Sequence, residues 1–218
     1  MSEVAGIDRI FLLVYFVASL VPAVVLHEVS HGWVANRLGD HTAKMAGRLT
    51  LNPIKHVDPF GTVILPAFLI VLNVFTDRLV PIFGYAKPVP VTPQNLNHPD
   101  RQMMWISLAG PLTNLGLAVM GALALRVVGP IAEQPAIFLG TWVLVNAFLM
   151  VFNLFPIPPL DGSKVLARYL PGRARDVYRS WEPYGALFLL VIFFVLPSQI
   201  LGFVYSLVDV LFSFLVGA

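Results

Sequence analysis

Residues 10–31 read IFLLVYFVASLVPAVVLHEVSH, in which seventeen mostly apolar residues run directly into two histidines and a glutamate within five positions. As a helix, such a run reaches most of the way across the hydrocarbon core of a bilayer. Ionisable side chains at the end of it cost free energy unless the protein surrounds and uses them. Residues i and i+4 of a helix differ by about 40° in azimuth and about 6 Å in rise. His27 and His31 therefore present two imidazoles on one face, one turn apart, which suits two corners of a tetrahedral zinc. Glu28 lies beside them. A carboxylate there can take a proton from water activated by the metal and deliver it to a leaving amine. The pattern is the His-Glu-x-x-His of metalloproteases. Two interfacial histidines that merely cap a helix end would leave the desolvation cost unexplained.

The rest of the chain reads as membrane-embedded too. Of 218 residues, 57% are hydrophobic and 12% charged, with a mean hydropathy of +0.79. Soluble domains carry roughly 25% charged residues, so an all-α polytopic membrane protein is expected. The net charge of +2 comes with no basic cluster interleaved with aromatics, which excludes nucleic-acid binding. There is no cysteine, which excludes disulfides and thiolate ligands. The opening apolar run is too long for a signal-peptide core and lacks a small-residue cleavage site, so a retained span is expected. No internal repeat or second domain is visible; residues 1–218 read as one membrane-embedded domain.

Hydropathy predicts a long helix from Ile10 to about Ala35, then a polar stretch from Asn36 to Pro59. Gly61–Phe75 and the shorter Leu79–Gly84 are apolar. The segment YAKPVPVTP (85–93) must be extended, because proline alternates through it and bars a helix. Met103–Val128 and Phe138–Phe155 are long enough to span. Lys164–Arg179 is basic. Tyr184–Leu196 and Ile200–Val216 are one or two C-terminal membrane helices. If 61–84 dips into the membrane and returns on the same side, eleven of the fourteen Lys and Arg share one face. The positive-inside rule then makes that face cytoplasmic and puts the N-terminus outside. A full span at 61–75 splits the charges more evenly. Re-entrant backbone requires a protein-lined or wet cavity, so 61–93 is a candidate gate or substrate-binding edge.

Catalytic zinc needs a third protein ligand. His41, His56 and His98 lie in polar loops. Among carboxylates near apolar segments (Asp58, Asp77, Asp161, Glu182 and Asp209), Asp161 is the strongest candidate. It follows a membrane segment on the side where His31 lies, and Pro156, Pro158 and Pro159 break the helix before it. Gly162 then permits close backbone approach. Capping of the next helix is the alternative role for Asp161. Asn153, in the last turns of the same span, can donate to an oxyanion or hold an extended substrate; helix packing is its alternative role. Asn146 is read as a helix-packing amide. So is Asn114, in the small-residue span SLAGPLTNLGLAVMGALA (107–124).

HEVSH, AGPLTN and NLFPIPPLDG occur in that order. With GRLTLNPIKHVDPFGTVILP and GYAKPVPVTP between the first two, they resemble the site-2 protease family of intramembrane zinc metalloproteases, in its compact prokaryotic branch. The resemblance covers about residues 11–165. It implies a three-helix catalytic core and one zinc per chain on His27, His31 and Asp161. It also implies catalytic roles for Glu28 and Asn153, and a site buried in the membrane toward the cytosol. The PDZ-like insert and CBS domain of many members are not expected here. His56 is either a group that contacts substrate or a loop histidine.

The expected function is a zinc metalloendopeptidase of the cell membrane that cleaves in or near a partner's transmembrane segment, with the bilayer as its other partner. A metal transporter would need ligands from both faces, and the outer half is ligand-free. An inactive relative that only binds helices would not need all four catalytic positions filled. A tethered soluble-type protease would need a larger soluble domain.

Overall fold

The computed structural model describes residues 2–75, 84–129, 131–185, 187–189, 191 and 197–217. Helix α1 (Ser2–Arg37) carries a buried stripe at every fourth position: Ser19, Ala23, His27, His31 and Ala35. Toward the N-terminus from this stripe it exposes Ile10, Phe11, Leu12 and Leu13 on every side, as a helix does in lipid. The small residues of the stripe let a second helix approach closely before the histidines are reached. That helix is α4 (Pro99–Val128), whose buried face runs through Ser107, Gly110, Asn114, Ala118, Gly121 and Ala122. Helix α5 (Glu133–Asn153) packs on both. These three are long and apolar enough to cross a membrane, over Ile10–Arg37, Pro99–Val128 and Glu133–Asn153.

The expected three-helix core is therefore present, and the chain is an all-α polytopic membrane protein. Proline sits inside two of the spans, at Pro22 and Pro111. Neighbouring helices allow this in a membrane bundle.

Shorter elements complete the fold. Helix α2 (Thr42–Met45) and a 3₁₀ turn (Pro53–His56) follow α1. A π-helical turn (Pro59–Ile64) leads into α3 (Leu65–Phe75). Asp58 opens that turn by accepting from the amides of Phe60 and Gly61. After α5 come α6 (Asp161–Tyr169) and α7 (Gly172–Ser180). The C-terminal α8 (Pro197–Val216) lays Val204 and Val208 against Ala147 of α5. Much of the apolar stretch 184–196 and the pair Asp77-Arg78 lie outside the described residues.

The ends of the 61–84 excursion meet. Tyr85 donates its amide to Gly61 O at 3.0 Å, and Lys87 donates to His56 O at 2.9 Å. The backbone at Gly84 lies so close to Gly61 that an added Cβ would fall 2.6 Å from its carbonyl oxygen. A single crossing would separate those ends by about 30 Å of hydrocarbon. The excursion starts and finishes at one level, as the re-entrant reading expects. Residues 84–92 form neither helix nor turn, as the prolines require, and Thr92 at their end is extended.

The far end of this extended segment is anchored on Asp40, just beyond α1. The buried carboxylate accepts from Thr42 N, Thr42 Oγ1, Thr92 N and Asn95 Nδ2. Burial pushes its carboxyl up, but the donors from Thr42, Asn95 and Thr92 outweigh this and hold it below the usual carboxylate range. The anchor is therefore at full strength above the pKa of an ordinary carboxylate, and it is lost as pH falls through the lowered value. Protection of the Thr92 amide in hydrogen exchange should fall with pH in that acidic window. Asp40→Ala should abolish the protection at neutral pH and cost about 2 kcal/mol in unfolding.

Candidate metal centre

Two helices deliver the three predicted ligands to one point. His27 and His31 come from the inward stripe of α1. Asp161 is the first residue of α6, reached after Pro156, Pro158 and Pro159 have ended the α5 span. Asp161 Oδ2 lies 3.1 Å from His27 Nε2 and 3.2 Å from His31 Nε2. One ligand atom from each of the three residues lies within 4.8 Å of the others, and all three residues are buried. Asp161 thus comes into contact with both histidines rather than serving only to open α6.

The hydrogen bonds behind the imidazoles fix their tautomers. His31 Nδ1 donates to Ile106 O at 2.6 Å, because a carbonyl can only accept. Asn114 has given its Nδ2 to Asn146 Oδ1 at 3.0 Å and to Ala23 O at 3.4 Å. Its Oδ1 therefore faces His27 Nδ1, 2.6 Å away, and that nitrogen must donate. Asn146 is held in turn by Trp142 O. Both Nε2 lone pairs are left pointing at a carboxylate oxygen. Three electron-rich atoms converging in a buried place repel one another unless a cation sits between them or the imidazoles take up a further proton. Ligand atoms around a tetrahedral zinc, with metal–ligand distances of about 2.0–2.1 Å, stand about 3.3 Å apart. The donor set and its spacing fit zinc.

Gly110 makes the arrangement possible. A Cβ built there would lie 2.5 Å from His27 Nε2 and 2.5 Å from His31 Nε2. The α4 backbone presses directly on both rings, and any side chain would displace them. Two further glycines hold the Asp161 loop. A Cβ on Gly162 would meet Leu154 O at 2.0 Å, and one on Gly185 would meet Pro158 O at 2.5 Å.

Glu28 sits beside the triad but points to the extended segment, where its Oε2 accepts from Val89 N at 3.0 Å. Val89 also packs over Gly32, where an added Cβ would fall 2.8 Å from Val89 Cγ1. Arg48 Nη2 braces the same segment by donating to Lys87 O at 2.6 Å. Asn153 turns its Nδ2 onto Leu149 O of its own helix, and among the described residues no hydrogen bond joins it to the triad. His56 is buried in its loop, bonded through Nε2 to Thr50 O.

Two things escaped the sequence reading. It gave Asn114 an interhelical hydrogen bond without seeing that the partner is the imidazole of a candidate ligand, His27. It also passed over Gly185, which lies beyond the motifs; nothing local in the sequence marks that position.

The sequence as a whole is similar to known metalloproteases. The profile of peptidase family M50 matches residues 15–135. The chain is 36% identical over 190 residues to "Putative zinc metalloprotease YwhC" of Bacillus subtilis, covering 84% of this chain and 81% of that protein. It is 30% identical over 202 residues to "Putative zinc metalloprotease Rip2" of Mycobacterium tuberculosis, covering 90% and 73%. No solved structure matches.

Loss of the outer hydrogen bond to a ligand histidine typically lowers metal affinity about 10–100-fold. Asn114→Ala should do so here, measured by competition with a chelator. Unchanged affinity would mean that Asn114 only packs helices. With the ligand triad, the glutamate and the family match in hand, the chain belongs to peptidase family M50, the site-2 protease family of zinc metalloproteases.

Proposed function

We propose that this protein is an intramembrane zinc metalloprotease that hydrolyses peptide bonds in or near transmembrane segments of partner proteins. The observation that carries the reading is the position of the triad. It is built on the end of a 28-residue apolar span, next to an extended segment bonded to the candidate base. A soluble substrate would not need its protease at that depth.

His27, His31 and Asp161 would hold one zinc ion per chain, with their Nδ1–H bonds to Asn114 and Ile106 keeping both imidazoles in ligating form. When bound, zinc polarises the scissile carbonyl and acidifies a water. Glu28 takes the proton from the attacking water and passes it to the departing amine. Val89 N–H fixes the carboxylate through Oε2 and leaves Oε1 for the proton. A transmembrane helix hides its carbonyls in its own hydrogen bonds, so the substrate must unwind before it can be cut. The extended segment 84–92 is anchored at both ends and lies against Glu28. It can hold the unwound stretch by main-chain pairing. Asn153 retains an amide N–H and its Oδ1, and contributes to holding the substrate or the developing oxyanion.

The charge distribution supports an orientation. With the excursion returning to its starting level, the basic loops share a face, which the positive-inside rule makes cytoplasmic. The N-terminus is then outside, and the site opens toward the cytoplasm of the cell membrane.

Glu28→Gln should retain zinc and lose about 10²–10⁴ of the turnover of a co-reconstituted transmembrane substrate. Substrates can be found by comparing membrane protein fragments from cells carrying the wild type and this variant. Undiminished turnover would remove Glu28 from its role. Separately, a topology reporter fused after Pro88 should report a cytoplasmic position, and an external signal would overturn the orientation.

A further inference from the structure

Beyond the metal centre, α7 and the loop that follows α5 enclose a second feature. A groove of about 860 Å³ opens between them, with Ile157, Leu170, Val177, Trp181 and Phe188 among its lining and Arg173 its one charged side chain. The groove lies where two spans end. Its floor at Pro156–Pro158 directly follows α5. Its α7 wall is tied to Asp100, in the first turn of α4, by Arg175 and Arg179. Tyr169, Trp181 and Tyr184 are exposed around it, as aromatic residues are at the headgroup level of a bilayer.

Several of the neighbouring side chains are committed. Tyr178 Oη donates to Pro156 O at 2.7 Å. Arg175 and Arg179 share the Asp100 carboxylate. Among the described residues, no carboxylate pairs with Arg173. An apolar trough with an unpaired guanidinium, set at the membrane interface, matches a molecule with a hydrocarbon tail and an anionic head.

We propose that this groove is a binding site for an anionic phospholipid. An acyl chain lies along Ile157, Val177, Trp181 and Phe188, and the headgroup phosphate, its charge not offset by an ammonium of the lipid, pairs with Arg173. Guanidinium and phosphate make strong charge-assisted hydrogen bonds. The lipid would rest on the loop that delivers Asp161, since Gly185 backs directly onto Pro158.

Trp181 supplies the probe. The full protein is reconstituted in vesicles containing phosphatidylglycerol or phosphatidylcholine with brominated acyl chains. The Trp181 signal is obtained by subtracting that of Trp181→Phe. Quenching should reach half its limit at an about fivefold lower mole fraction of phosphatidylglycerol, the factor contributed by one basic side chain facing an anionic lipid. Arg173→Gln should erase the difference and Arg173→Lys should keep most of it. Equal quenching by the two lipids in the wild type, which needs no charge variant to fold, would overturn the proposal. So would no quenching by either lipid, or a preference that survives Arg173→Gln.

Discussion

The structure turns on one electrostatic demand. Two imidazole lone pairs and a carboxylate oxygen meet at 3.1 and 3.2 Å in a buried place, and such a cluster is stable only around positive charge. Everything near it serves that demand. Asn114 and Ile106 fix the proton on each Nδ1, so that each Nε2 is free to ligate. Gly110 removes the side chain that would force the rings apart. The prolines after α5 stop that helix, so that Asp161 arrives as the first residue of a new one. Without a cation or a further proton on the imidazoles, the outward hydrogen bonds would hold three acceptors against one another.

A second constraint is the need to offer backbone inside a membrane protein. Residues 84–92 cannot be helical, because prolines alternate through them, so their polar groups need other partners. The protein supplies these from several elements: Gly61 and His56 for the amides of Tyr85 and Lys87, Arg48 for the carbonyl of Lys87, Glu28 for the amide of Val89, and Asp40 for that of Thr92. The same bonds that make the extended chain tolerable also bring it to the metal centre. Folding and the proposed substrate contact therefore draw on one set of interactions.

Much of this was legible in the sequence. The His27–Glu28–His31 constellation follows from helical periodicity alone, and the three long spans follow from hydropathy. The prolines of 85–93 exclude a helix there, and charge counting favours a returning excursion. Each signal is local or additive along the chain. Span ends were less legible: α4 begins at Pro99 and α5 at Glu133, ahead of Met103 and Phe138. Polar first turns continue a helix beyond its apolar part, which hydropathy does not register.

By itself, the sequence determined the class of the protein and offered two candidate ligands, because one helix carries both histidines at a fixed spacing. Only the tertiary structure decided that Asp161 joins them and that Asn114 orients His27. It alone brought Gly110 against both rings, and Val89 onto Glu28. Those contacts join residues between 61 and 134 positions apart, and no periodicity extends over such a separation. They exist because small residues let α1, α4 and α5 approach closely, and because the chain breaks where proline denies the helix its next hydrogen bond.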